Sequence, residues 1–151
     1  MASRYTTGRP LRHSPARAQI LLALLGLWSM LPPYLGPPLG LALNVAMDVE
    51  VVDHVVPGMV VAVCAGVAAL LVRRGGSAEA SAAVLGLTGA CFLAGLWQVS
   101  THVPLVLEGG ATETPWDSVI LHSSPGPAIL GVALWLTLRT PAAGSADTGP
   151  P

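Results

Sequence analysis

Three stretches of the chain, Val51–Val72, Glu79–Val99 and Asp117–Leu138, carry almost no charge between their ends. Each runs for about the 20 residues that a helix needs to cross about 30 Å of hydrocarbon. A fourth apolar run, Ala18–Leu31, stops at Pro32-Pro33 and reaches that length by continuing, kinked, to about Leu35. In a bilayer every backbone N–H and C=O must be paired inside the protein, which makes the helix the solution for runs of this length. The composition agrees, with 52% hydrophobic and only 10% charged residues. A soluble domain carries about a quarter charged residues, and a water-exposed chain this apolar would present large aggregating patches. The expected architecture is all-α: a four-helix transmembrane bundle with spans at 18–35, 51–72, 79–99 and 117–138.

Charge sets the orientation. Every basic residue other than histidine is arginine, and the arginines fall into three groups: Arg4, Arg9, Arg12 and Arg17 before the first run, Arg73 and Arg74 between the second and third, and Arg139 after the fourth. The acids Asp48, Glu50, Asp53, Glu108, Glu113 and Asp117 occupy the two other connections. Basic residues stay on the cytoplasmic side, so both termini are expected inside and both acidic connections outside. Residues 1–17, which include His13, read as a disordered basic tail, 73–78 as a cytoplasmic loop and 140–151 as a flexible tail. The basic start followed by an apolar run resembles a signal peptide, but no small-residue cleavage site follows, and the segment reads as an uncleaved first span. The absence of lysine and the wealth of Ala, Gly, Pro and Val point to a GC-rich bacterial genome, hence to a bacterial cytoplasmic membrane. A net charge of −1 gives nothing to attract nucleic acid. The expected partners are the lipid bilayer and other membrane proteins, another copy of the chain included.

The two halves of the chain look alike. Leu24-Leu25-Gly26-Leu27-Trp28 matches Leu93-Ala94-Gly95-Leu96-Trp97, and His54-Val55-Val56-Pro57-Gly58 matches His122-Ser123-Ser124-Pro125-Gly126. The Trp-to-His spacing differs by one residue between them. Residues 18–72 and 79–139 thus read as two parallel helix-loop-helix repeats related by an axis along the membrane normal. Gly26-Leu27-Trp28-Ser29-Met30-Leu31-Pro32-Pro33 resembles the Trp…Ser-Pro-Trp segment of the SPW-repeat bacterial membrane proteins. Asp53-His54-Val55-Val56-Pro57-Gly58 resembles the Asn-His…Gly segment of the same repeat. Leu31-Pro32-Pro33 stands where that family has Ser-Pro-Trp, and the second copy, Val99–Leu105, lacks the signature. The resemblance implies a small four-helix membrane protein and no particular activity.

The acidic rim is the first place where chemistry could sit. His54 and His122 are equivalent in the repeat, Glu50 lies one helical turn before His54 on the same face, and Asp53 adjoins it. Imidazole and carboxylate suit zinc, copper or manganese, so Glu50, Asp53, His54 and His122 are candidate metal ligands, with proton relay through imidazole as the alternative. Asp48, Asp117, Glu113 and His102 lie nearby. The plainer reading is helix capping by polar side chains. Pro57-Gly58 and Pro125-Gly126 are expected to start or kink helices, freeing a carbonyl four residues back. Ala82, Gly86, Ala90 and Ala94 form a small-residue stripe suited to close packing of the central helices, with Ala62 and Gly66 offered by the second helix; a homodimer seam is the alternative. Cys64 and Cys91 sit in apolar runs and read as core residues. Trp28, Trp97, Trp116 and Trp135 read as interfacial belts.

No phosphate loop, nucleophile elbow or Ser/His/Asp arrangement is present, so no reaction or cofactor is named. By elimination the chain reads as an accessory or structural subunit in the membrane; the alternatives are half of an oligomeric transporter or channel, and an outward-facing metal- or proton-responsive site at His54 and His122. The topology makes a direct prediction. Cysteines replacing Asp48 or Glu108 in a chain without Cys64 and Cys91 should react with a membrane-impermeant maleimide added to intact cells. Reaction only after permeabilisation would reverse the orientation.

Overall fold

A computed structural model describes residues 15–41, 46–75, 77–108 and 115–139. Among these residues the chain is helical throughout, with no strand. The elements are α1 (Pro15–Ser29), α2 (Pro32–Leu39), α3 (Met47–Glu50), a π-helical turn (Val51–Val55), α4 (Val56–Arg74), α5 (Ala78–Glu108), α6 (Trp116–Ser123) and α7 (Pro125–Arg139). Arg4, Arg9, Arg12, His13, Glu113 and the tail at 140–151 lie outside the described residues.

Three continuous helical stretches are long and apolar enough to cross a membrane: Met47–Arg74, Ala78–Glu108 and Trp116–Arg139. The first expected span is two helices, α1 and α2, bent by 51° across the break at Met30–Leu31. Pro32 and Pro33 cause the bend, because neither supplies an N–H to the preceding turn. The pair makes a fourth span if both halves cross together. Gly40, at φ 71°, ends α2 in the left-handed conformation, and Leu41 N–H closes back onto the Gly36 carbonyl at 2.8 Å.

Several boundaries differ from the sequence reading. Residues 15–17, expected in the tail, form the first turn of α1. Helix α5 runs nine residues beyond the expected end at Val99, to Glu108, with Pro104 inside it. A single proline removes one hydrogen bond of the ladder, and the surrounding residues continue the turn. Pro125 stands in the first turn of α7, where a proline costs no helical bond; Pro57 opens α4 inside the continuous stretch Met47–Arg74 and leaves the Asp53 carbonyl without its helical donor. The residues preceding Pro57 relax into the π-helical turn.

The interior inverts the soluble pattern. Leu21, Leu24, Val63, Leu70, Leu93, Leu96 and Leu134 face outward, as do Trp28, Trp97 and Trp116, whereas Gln19, Ser29, Thr88, Gln98 and three histidines are buried. The apolar core is a layer of Leu22, Val61, Ala65, Cys91, Ile129 and Ala133 across α1, α4, α5 and α7. Two buried polar pairs flank it. Gln19 Nε2 donates to Thr88 Oγ1 at 2.9 Å on one side, and Gln98 Nε2 donates to Ser29 Oγ on the other.

Glycine sets the helix crossings. A Cβ on Gly26 would lie 2.6 Å from the Ala62 nitrogen and 2.7 Å from the Gly58 carbonyl, and one on Gly58 would lie 2.7 Å from the Gly26 carbonyl. Gly95 and Gly126 do the same for α5 and α7, facing Leu130 N at 2.9 Å and Val99 N at 3.0 Å. The face that α5 buries is therefore Thr88, Cys91, Ala94, Gly95, Gln98 and His102. Of the expected stripe only Ala94 is buried; Ala90 is half-buried, and Ala82 and Gly86 are exposed. Nothing lies within 4 Å of a Cβ placed on Gly86 or on Gly66.

Gly26→Ala should lower stability by about 1–3 kcal/mol, because backbone atoms cannot move aside for the methyl group. Gly86→Ala should be neutral or slightly stabilising. Unfolding midpoints of the two variants in detergent compare these directly, and equal midpoints would contradict the packing.

A buried histidine and carboxylate cluster

Helix α3 with the π-helical turn that follows it, α5 and α6 bring three imidazoles and one carboxylate together at the end of the molecule away from the arginines. Glu50, His54, His102 and His122 keep only 8%, 2%, 7% and 2% of their surface exposed. Glu50 and His54 lie one turn apart, with Oε2 and Nε2 separated by 3.9 Å. Glu50 Oε1 reaches His122 Nε2 at 3.6 Å. His54 Nε2 is 3.1 Å from His102 Nε2. The His54 ring meets those of His102 and His122 edge-on, at centroid distances of 4.7 and 5.4 Å.

Backbone carbonyls fix two of the tautomers. His102 Nδ1 is 2.8 Å from the Gln98 carbonyl, and His122 Nδ1 is 2.8 Å from the Ser118 carbonyl. A carbonyl only accepts, so each Nδ1 carries a hydrogen, and in the neutral ring Nε2 keeps its lone pair. Those lone pairs point at His54 and Glu50. His54 Nε2–H then donates to His102, which leaves His54 Nδ1 without a hydrogen-bond partner; Glu50 Oε2 also has none. Such second-layer carbonyls are the usual means of orienting a metal-ligating imidazole.

One donor atom from each of Glu50, His54 and His122 falls within 4.8 Å of the other two, the only such group of three among the described residues. Tetrahedral zinc bonds of about 2.1 Å place ligand atoms about 3.4 Å apart, so the donors close on an ion by small side-chain rotations. Asp53, the fourth candidate from the sequence, is half-buried and stands outside this group. It lines a cleft of about 230 Å³ with Val49, Glu50, His54, Thr101, His102 and Leu105. The cleft gives the cluster an approach from the surface.

Gln98 supports the cluster from below. Besides Ser29, it donates to the Asp53 carbonyl at 3.4 Å, the carbonyl that Pro57 leaves without its helical partner. Ser29 Oγ in turn donates to the His54 carbonyl at 3.4 Å. The turn bearing Glu50 and His54 is thus tied to α1 and α5. Asp117 accepts from the Ser118 N–H at 2.9 Å, a local contact at the start of α6. Cys91 is buried, with Sγ 3.8 Å from the Val61 carbonyl, and Cys64 is half-buried. Neither lies in the cluster.

His102 and Gln98 are the two members that the sequence reading left out of the ligand set and its support. Their spacing of four, facing the His54 turn, was the available signal. No protein-family model, no curated protein and no solved structure matches this chain.

Gln98→Leu should destabilise the protein by about 1–3 kcal/mol, since it removes the donor shared by the Ser29 hydroxyl and the Asp53 carbonyl and leaves that carbonyl unpaired. Chemical unfolding in detergent measures the loss, and an unchanged midpoint would remove Gln98 from the support of the site.

Proposed function

We propose that this is a four-span membrane protein that holds one divalent transition metal, of the zinc type, between two like-oriented hairpins on the outer side of the bilayer. The observation that carries the metal reading is Glu50. It is buried among imidazoles, and among the described residues every arginine lies at the opposite end of the molecule. A buried carboxylate without a cationic partner is costly. A divalent ion supplies that charge, and the inward Nε2 lone pairs of His122 and His102 supply the remaining donors. Glu50, His54 and His122 are the first three ligands, and His102 is within reach as the fourth.

Residues 69 apart support the repeat. Gln19 bonds to Thr88 and Ser29 to Gln98, both at that separation, while His54 and His122, 68 apart, meet ring to ring. Contact between equivalents is what an axis between two copies produces. Leu22 with Cys91, Val61 with Ile129, and Ala65 with Ala133 follow the same offsets and form the core layer. The two motifs that carry the resemblance to the SPW-repeat proteins contain Ser29 and His54, so that kinship is proposed on the same residues. The arginine distribution favours the end bearing Arg17, Arg73, Arg74 and Arg139 as cytoplasmic.

The apolar layer below Ser29 and Gln98 argues for holding a cation rather than conducting one. A metal bridging the hairpins also fits a structural or accessory subunit, because it would clamp the outer ends of helices from both halves.

Purified chain stripped with chelator should take up one zinc per chain in calorimetry. At zinc about 100-fold above Kd, stability should rise by about 2.7 kcal/mol. Glu50→Gln, His54→Ala and His122→Ala should abolish that rise, His102→Ala should weaken affinity by roughly 10–100-fold, and Asp53→Asn should leave it unchanged. Equal, weak binding of zinc, copper and manganese by all forms would end the metal reading.

A further inference from the structure

At the arginine end, away from the histidines, a groove of about 420 Å³ opens between α1 and α7, lined by Arg17, Ala18, Leu21, Gly131, Val132 and Trp135. Its walls are apolar along their length and its charge is confined to one end. Arg139 adds a second guanidinium there, stacked on Trp135 at 4.6 Å from the ring centroid. A Cβ placed on Gly131 meets nothing within 4 Å, so no protein atom fills the floor of the groove at that point.

The charges nearby are one-sided. Among the described residues neither Arg17 nor Arg139 has an ion-pair partner. Asp48, Glu50, Asp53, Glu108 and Asp117 belong to the other end, and Glu79 sits at the start of α5, which does not line the groove. An apolar slot of this size ending in unpaired guanidiniums beside an indole matches an acyl chain capped by an anionic headgroup. Arginine suits phosphate because its fork donates in pairs, and tryptophan suits the depth at which headgroups begin.

We propose that this groove binds one anionic phospholipid, with an acyl chain along Leu21, Gly131, Val132 and Trp135 and the phosphate on Arg17 and Arg139. The site is independent of the metal reading, and it holds whichever face of the bilayer the arginines occupy. It also completes the seam between the first and last helices, which protein side chains leave open.

Native mass spectrometry on delipidated full-length chain tests it, using phosphatidylglycerol and phosphatidylcholine of identical chains at equal concentration. The expected result is one retained phosphatidylglycerol per chain, preferred over phosphatidylcholine by roughly thirtyfold, as two guanidiniums near an anionic headgroup supply. R17Q/R139Q should abolish the preference, and Gly131→Leu, which occupies the floor without touching charge, should abolish retention of both lipids. Should R17Q/R139Q not fold, a chain with Trp28, Trp97 and Trp116 each changed to Phe keeps the question answerable: brominated-chain phosphatidylglycerol should quench Trp135 more than the brominated choline lipid does. Equal retention or equal quenching by the two lipids overturns the proposal. So does a preference that survives R17Q/R139Q, or a dimer lost in Gly131→Leu without any lipid retained, which would assign the groove to a second copy.

Discussion

Backbone-to-backbone approach at two glycine crossings is the constraint on which the rest of the structure depends. Where Gly26 meets Gly58, and where Gly95 faces Leu130 and Gly126 faces Val99, there is no room for a methyl group. Close approach of this kind gains dispersion and weak polar contacts without relying on a hydrophobic effect, which is absent between helices in lipid. Its placement matters as much as its strength. Each crossing lies about one turn from a histidine, Gly58 following His54 and Gly126 following His122 by four residues. Drawing the helices together there leaves the imidazoles no direction but toward one another. A looser crossing would separate the rings and admit water or lipid between them.

The second element of the design is that polar groups point inward. Gln98 illustrates what this achieves. Its side-chain amide ties together a hydroxyl from α1 and a carbonyl that Pro57 has left free, so a proline that would otherwise weaken the helix becomes a point of attachment. The π-helical turn beside it holds His54 between Glu50 and His102. Single π-helical turns are frequent at functional sites, and here the turn presents a carboxylate and an imidazole to the same small volume.

The all-helical character and the long apolar helices were legible in the sequence because they follow from hydropathy. The meeting of His54 with His122 was legible too, since the matching residues around them singled the two histidines out together. The packing face of α5 was not. A stripe of small residues at spacing four singled out Ala82, Gly86, Ala90 and Ala94, yet the face buried within the chain is Thr88, Cys91, Ala94, Gly95, Gln98 and His102, with Ala94 alone in common. That face includes a glutamine and a histidine, side chains that habits learned from soluble proteins assign to the exterior. Asp53 failed as a member of the donor group for a related reason. Adjacency in sequence to His54 turns it to another side of the helix, onto the wall of the cleft that Glu50, His54 and His102 also line. The end of α5 lies nine residues past the expected boundary at Val99, because Val103–Leu107 continue the apolar helix and Pro104 removes only one hydrogen bond from it.

The length of α5 has a consequence for where the histidines meet their surroundings. Its 31 residues extend about 46 Å along the axis, half as long again as the hydrocarbon layer is thick. His102 lies about 36 Å along that axis from the start of the helix. If a bilayer boundary runs at Arg73 and Arg74, the histidines fall past the far edge of the acyl chains unless the helix tilts strongly, and an ion of the kind proposed for the cluster would reach them from the aqueous layer among the headgroups without shedding its hydration to enter oil.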